Sequence, residues 1–168
     1  MQKETNRAEF VQLMETHQKI IFKVCNSFCR NKNYREDLAQ EIIYQLWKSY
    51  GSYNESFKFS TWMYRVALNV AISHYRKETI KQETIPLAES MEAIKEEPGT
   101  SSDSEQNGQQ LQRFINELKE LDRALVLLYL EEKPYREIGE ILGITETNVA
   151  TKINRIKDKL KQRFATIN

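Results

Sequence analysis

Apolar residues recur three and four positions apart along most of this chain, the spacing of one face of an α-helix. From Thr5 to about Cys29 the run Phe10, Leu13, Met14, His17, Ile20, Ile21, Val24, Cys25 and Phe28 keeps that spacing and predicts one long helix. Asn31–Asn33 interrupts it. Asn33 with Glu36 three residues on has the form of a capping box and predicts a second helix to about Ser49, with Leu38, Ile42, Ile43, Leu46 and Trp47 inward. Tyr50–Lys58, with Gly51, Ser52, Asn54 and Ser56, reads as a loop. A third helix is expected over roughly Ser60–Lys77, with Met63, Val66, Ala67, Val70 and Ala71 as its core stripe. From Thr79 to Gln109 the period collapses into a Ser/Asp/Glu/Gln-rich stretch holding Pro86, Pro98, Gly99 and Gly108, the composition of a linker.

The period returns at Leu111–Leu121, where Leu111, Phe114, Ile115, Leu118 and Leu121 face inward. A helix from Asp122 to Leu130 follows; its nearly continuous apolar ALVLLYL is expected to be a buried centre. After a turn at Glu131–Lys133, Pro134 suits the first position of a new helix. Tyr135–Leu142 carries Tyr135, Ile138, Ile141 and Leu142 on one face, and Thr145–Lys161 carries Val149, Ile153, Ile156 and Leu160. Gly143 between them can take the left-handed conformation that ends a helix, and Thr145 can cap the next one. Helix, glycine turn, helix is the helix-turn-helix pattern. The fold expected is all-α: two small helical domains, residues 1–78 and 110–168, joined by a flexible acidic linker over 79–109, with a four-helix C-terminal helix-turn-helix domain.

Composition agrees with a helical fold. Only five glycines and three prolines occur in 168 residues, and long alternating β-branched runs are absent. No apolar run approaches the ~20 residues of a membrane span, and MQKETNRAEF lacks an apolar signal core, so a cytoplasmic protein without direct membrane insertion is expected. Charge changes the picture more. A net of +1 conceals +5 over residues 1–77, −5 over 79–109 and +5 over 147–168. Two basic lobes joined by an acidic strap suit a polyanionic partner, although lysines that only solvate helix surfaces would give the same count.

The candidate chemistry is polar recognition. Thr147, Asn148, Thr151, Lys152 and Arg155 fall off the apolar stripe of the last helix and are residue types that bond base edges and phosphates; a plain helical hairpin with a solvated face fits the same spacing. Around the third helix, aromatic Phe57, Phe59, Trp62, Tyr64 and Tyr75 interleave with Arg65, Arg76 and Lys77, which suits a surface for unstacked bases, although most aromatics in a domain this small are core and would give the same pattern. Cys25, Cys29 and His17 do not complete a four-ligand metal site, and the cysteines read as buried reduced thiols. No catalytic residues, metal or cofactor are assigned: no glycine-rich phosphate loop occurs, and His17 and His74 lack the flanks of a catalytic motif.

Taken together, DLAQEIIYQLW, FKFSTWMYRVALNVAISHYRK and LDRALVLLYLEEKPYREIGEILGITETNVATKINRIKDKL resemble the promoter-melting and C-terminal domains of bacterial sigma factors, in the compact extracytoplasmic-function arrangement. The resemblance implies a non-enzymatic initiation factor that directs core RNA polymerase to promoters and assists DNA opening. Asp37, Gln40, Glu41 and Gln45 would dock on the β′ clamp helices, with the β flap a further polymerase contact. Trp62, Arg65, Asn69, Ser73 and Arg76 would meet the −10 element, with Tyr53, Asn54 and Ser56 able to hold a flipped base. Thr147, Asn148, Thr151, Lys152 and Arg155 would enter the −35 major groove. The acidic strap would thread toward the basic channels of the polymerase, and an anti-sigma factor is implied as a partner. In this sequence Thr147, Asn148 and Thr151 stand where such helices are usually basic, which leaves the promoter sequence open. Two other readings stay in play: a stand-alone helix-turn-helix regulator with an N-terminal dimerisation or sensing lobe, and a helical adaptor whose basic tail only solvates it.

Overall fold

In the computed structural model, residues 2–29, 31–84 and 103–166 are described, and among them every regular element is helical. In order they are α1 (Gln2–Thr16), α2 (Gln18–Phe28), α3 (Lys32–Ser49), a single 3-10 turn (Tyr50–Ser52), α4 (Phe59–Thr84), α5 (Asp103–Glu117), α6 (Glu120–Leu130), α7 (Tyr135–Leu142) and α8 (Glu146–Ala165). Residues 85–102, which hold most of the expected acidic linker, lie outside the described residues.

The expected first helix is two. His17 leaves helical geometry at φ −112, ψ 15. Its ring Nδ1 donates to Leu13 O at 2.9 Å, and its ring packs 5.2 Å from that of Phe59. A side chain that bonds its own preceding turn and anchors to another element competes with the helical ladder, and apolar period alone does not register that. The next cap also shifts: Asn31, not Asn33, is the N-cap of α3, its Oδ1 accepting from Asn33 N at 3.0 Å. α4 continues past the expected Lys77 to Thr84, and α5 starts at Asp103, before the expected Leu111.

In the N-terminal lobe α2, α3 and α4 enclose Val24, Phe28, Leu38, Ile42, Leu46, Met63, Tyr64 and Leu68. Ala67 and Ala71 of α4 are wholly buried; side chains this small let the neighbouring helices approach closely. α3 buries only the narrow stripe Leu38, Ile42 and Leu46, so Ile43 and Trp47, expected inside, are exposed instead. In the C-terminal lobe Ala124, Leu125 and Leu128 of α6 meet Ile138 and Ile141 of α7 and Val149, Ile153 and Ile156 of α8. The ALVLLYL run is buried only in part: Tyr129 and Leu130, in the last turn of α6, are 39% and 59% exposed. Leu111 is likewise exposed on α5. The lobes pack on each other, α6 and α7 against α2 and α4.

Candidate nucleic-acid interface

The helix-turn-helix is built by its turn. α7 ends at Gly143, whose φ of 71 is left-handed. Gly143 N and Ile144 N both donate to Gly139 O, at 2.8 and 3.1 Å, which folds the chain back over its own last turn. That fold brings Ile144 O so near Gly139 that a Cβ there would lie 2.6 Å from it. Thr145 then caps α8, its Oγ1 accepting from Asn148 N at 3.1 Å. With Val149, Ile153 and Ile156 buried, Thr147, Asn148, Thr151 and Arg155 stand exposed on the other side and Lys152 is half-buried. The Thr151 hydroxyl donates to Thr147 O at 3.0 Å, leaving its oxygen as an acceptor toward solvent.

A second polar surface is formed where the 50–58 loop meets α4. Tyr53 is drawn into an aromatic cluster, 5.2 Å from Trp62, 5.5 Å from Phe59 and stacked on Tyr50 at 6.4 Å. Its hydroxyl donates to Phe57 O at 2.7 Å. Burial, then Glu55, raise the Tyr53 phenol above its ordinary pKa. Asn54 Oδ1 accepts from Ser56 N at 3.0 Å and tightens the loop. Beside this cluster opens a cavity of about 180 Å³ lined by Ser52, Asn54, Phe57, Thr61, Trp62, Arg65 and Glu140. Of the residues proposed for the −10 side, the fold gathers Asn54, Trp62 and Arg65 at this cavity, while Tyr53 supports it from the aromatic cluster and Ser56 is not in its lining. Asn69 and Ser73 are exposed further along α4, and Arg76 lies 3.4 Å from Glu120 of α6. Ser52, Thr61 and Glu140 join this lining without a local signal in the sequence, whereas Phe57, one of the interleaved aromatics, stands 46% exposed beside a run of core aromatics.

The third surface is on α3. Asp37, Gln40 and Glu41 are exposed, and half-buried Gln45 donates from Nε2 to Glu41 Oε1 at 3.1 Å. The exposed apolar residues Ile43 and Trp47 adjoin them. Ile43, Tyr44 and Trp47, with Arg7, Phe10, Val11 and Gln40, line a groove of about 520 Å³ between α1 and α3. This edge is therefore amphipathic, polar along one side and apolar along the other.

Both cysteines are buried; burial is the main cause that pushes the Cys25 thiol up to about 11. Among the described residues no group of three His, Cys, Asp or Glu side chains is placed to hold a metal ion, and no helix is long and apolar enough to cross a membrane.

Comparison with known proteins bears on all three surfaces. The family Sigma-70 region 2 matches residues 13–80, which span α3, the loop and most of α4. The family Sigma-70, region 4 matches residues 108–160, which span the helix-turn-helix. The ECF RNA polymerase sigma factor SigW of Bacillus subtilis (strain 168) is 28% identical over 172 residues, covering 96% of this chain and 92% of its own. SigM of the same organism, also an ECF RNA polymerase sigma factor, is 26% identical over 156 residues, with 91% and 93% covered. Among solved structures, CnrH in complex with the cytosolic domain of CnrY shares the fold at a TM-score of 0.69 and 16% identity, covering 96% of this chain and 91% of that one. The sigma factor RpoE of Bartonella quintana, in complex with the anti-sigma factor NepR, does so at 0.65 and 17% identity, with 93% and 94% covered.

Proposed function

The chain belongs to the extracytoplasmic-function group of the sigma-70 family, and from that premise we infer how it serves as an RNA polymerase sigma factor in transcription initiation. The observation that carries the inference is the presence on one chain, in order, of a region 2 with an exposed base-sized cavity and a region 4 with an exposed polar recognition helix.

α3 docks on the β′ clamp helices of core polymerase. Asp37, Gln40, Glu41 and Gln45 supply the polar edge, and Ile43, Tyr44 and Trp47 supply apolar area. Such area is worth roughly 25 cal/mol for each Å² removed from water, so the exposed apolar residues carry much of the docking energy. The C-terminal lobe meets the β flap. α8 enters the −35 major groove with Thr147, Asn148, Thr151, Lys152 and Arg155, the hydroxyls and amide toward base edges and the cations toward phosphates. The loop and α4 engage the −10 element. Flipping a base out of the stack costs a few kcal/mol, which stacking near Trp62 and hydrogen bonds from Asn54 and Arg65 offset; Tyr53 and Ser56 shape the loop, and Asn69, Ser73 and Arg76 follow the strand. An anti-sigma factor is a further partner, since the RpoE neighbour in the solved structures is held by one.

Run-off transcription with core polymerase on genomic fragments tests the whole reading. Promoter-specific transcripts are expected only when this protein is added. Duplex binding without any effect on core polymerase would overturn it in favour of a stand-alone regulator.

A further inference from the structure

Among the described side chains of α1, Phe10 alone is buried, at 5% exposed, with Leu13 and Met14 half-buried. The Phe10 ring lies 5.0 Å from that of Trp47, near the end of α3, and 5.1 Å from that of Tyr50, where the 50–58 loop begins. Just past the other end of α1, the His17 ring lies 5.2 Å from that of Phe59, where α4 begins. Residues seven apart on a helix are two turns apart on the same side. One side of α1 therefore meets both ends of the loop, Tyr50 through Phe10 and Phe59 through His17.

From those two ends the rings continue inward. Tyr50 lies 6.3 Å from Trp62 and stacks on Tyr53, and Phe59 lies 5.4 Å from Trp62. Each spacing falls within the roughly 4.5–7 Å at which aromatic rings attract. Both routes from α1 thus end on Trp62, the ring that lines the base-sized cavity. The hydrogen bonds from Tyr53 to Phe57 O and from Ser56 N to Asn54 Oδ1 stay within the loop. They fix its shape and not its place on the lobe, which is left to the packed rings. An interior at native density passes a displacement on to its neighbours, so moving Phe10 moves Tyr50, and moving Tyr50 moves Trp62.

We propose that α1 is a brace for the base-holding loop and that Phe10 is a positioning residue for promoter opening, acting on Trp62 through Tyr50. This rests on assigning the loop and Trp62 to the −10 element. Phe10 precedes residues 13–80, the segment that matches region 2, so the anchor of the brace lies outside the matched unit. Phe10 also borders the docking groove on α3, and its effect on opening is therefore read with core polymerase saturating.

Trp47 and Trp62 are the two tryptophans of the chain, so Trp47→Phe leaves Trp62 as sole reporter while keeping a ring beside Phe10. In that full-length parent, Phe10→Leu is expected to red-shift the emission of Trp62 and raise its quenching by acrylamide, and Phe10→Tyr to restore both. Val24→Ala, at a wholly buried position of the same lobe that carries no ring, removes packing elsewhere and should leave both unchanged. In the otherwise wild-type chain, Phe10→Leu should lower opening of a promoter returned by run-off transcription, read as permanganate reactivity, by roughly 2- to 10-fold, the worth of one aromatic pair. Duplex binding should be retained, and Val24→Ala should open that promoter as wild type does. If circular dichroism shows Phe10→Leu unfolded, Tyr50→Leu breaks the chain of rings at its middle and takes its place. Equal emission and quenching of Trp62 in variant and parent would overturn the proposal, as would a change in Trp62 with none in opening. Absence of any promoter-specific transcript would sink the sigma-factor reading, and the role in opening with it, while the brace itself would still stand or fall on the emission of Trp62.

Discussion

Gly139→Ala is expected to destabilise the helix-turn-helix even though it places a better helix former inside α7. Alanine is favoured over glycine in a helix interior by about 1 kcal/mol, so propensity alone predicts a gain. The fold predicts a loss. A Cβ at this position lies 2.6 Å from Ile144 O, a backbone atom of the turn, and 3.6 Å from both Glu146 N and Thr145 C. Ordinary contact begins at 3.4 Å, so the turn must open by about 0.8 Å. The two bonds that close it, Gly143 N to Gly139 O at 2.8 Å and Ile144 N to the same oxygen at 3.1 Å, resist that opening. Losing one would cost about 1 kcal/mol, and a methyl forced into packed surroundings costs about 1–3 kcal/mol. Against the propensity gain the net is a destabilisation of about 1–3 kcal/mol, or roughly 2–4 °C in Tm for each kcal/mol in a chain of this size. Thermal and urea unfolding followed by circular dichroism measure it, and duplex promoter binding should weaken in parallel as α8 shifts. A G139A protein as stable as wild type, or more so, would refute the reasoning, because the clash would then be relieved without cost.

Thr145→Ala removes the oxygen that accepts from Asn148 N and should lower stability by about 1 kcal/mol in urea unfolding, whereas Thr145→Ser should restore most of it. Trp62→Ala should leave duplex binding intact and reduce promoter opening, read as permanganate reactivity of unpaired thymines, by roughly the 1–3 kcal/mol of a lost base–aromatic stack; an unfolded variant would mean that its packing on Tyr53 and Phe59 is its main role. Ile43→Lys should weaken binding to core polymerase with no change in Tm, since Ile43 is exposed in the groove beside Gln40. Cys25 links stability to pH: its thiol is raised from 9.0 to about 11 by burial, so the unfolded chain releases this proton first. The contribution is fully present below pH 9 and is lost as pH rises through about 11; Cys25→Ala should flatten that part of the profile, and an unchanged slope would count against it.

Local signals carried the helix-turn-helix. Gly143 and Thr145 act within a few residues of themselves, and the stripe of Val149, Ile153 and Ile156 has only one way to face inward on a helix, so turn, cap and buried side were all readable. The same stripe logic left Thr147, Asn148, Thr151 and Arg155 outside. His17 shows where it stops: its period matches a helix interior, yet its ring contacts with Leu13 and Phe59 accompany a break. Ile43, Trp47, Tyr129 and Leu130 were expected inside because they are apolar. Each lies on an element whose buried stripe is narrower than its apolar content, and how wide a stripe becomes depends on how many neighbours cover it.

By itself, then, the sequence determined the helical class of the described residues, the turn that pairs α7 with α8, and the chemistry available on each helix, because those follow from residue type and spacing. Only the tertiary structure decided which side chains from distant segments share a space. Asn54, Trp62, Arg65 and Glu140 line one cavity, although Glu140 lies far along the chain from the other three. Arg123 is buried because the carbonyl of Ser27 and the ring of Tyr75 stand where its guanidinium falls. Nothing in the residues around Arg123 announces that, since the burial of a polar group depends on the surface brought against it.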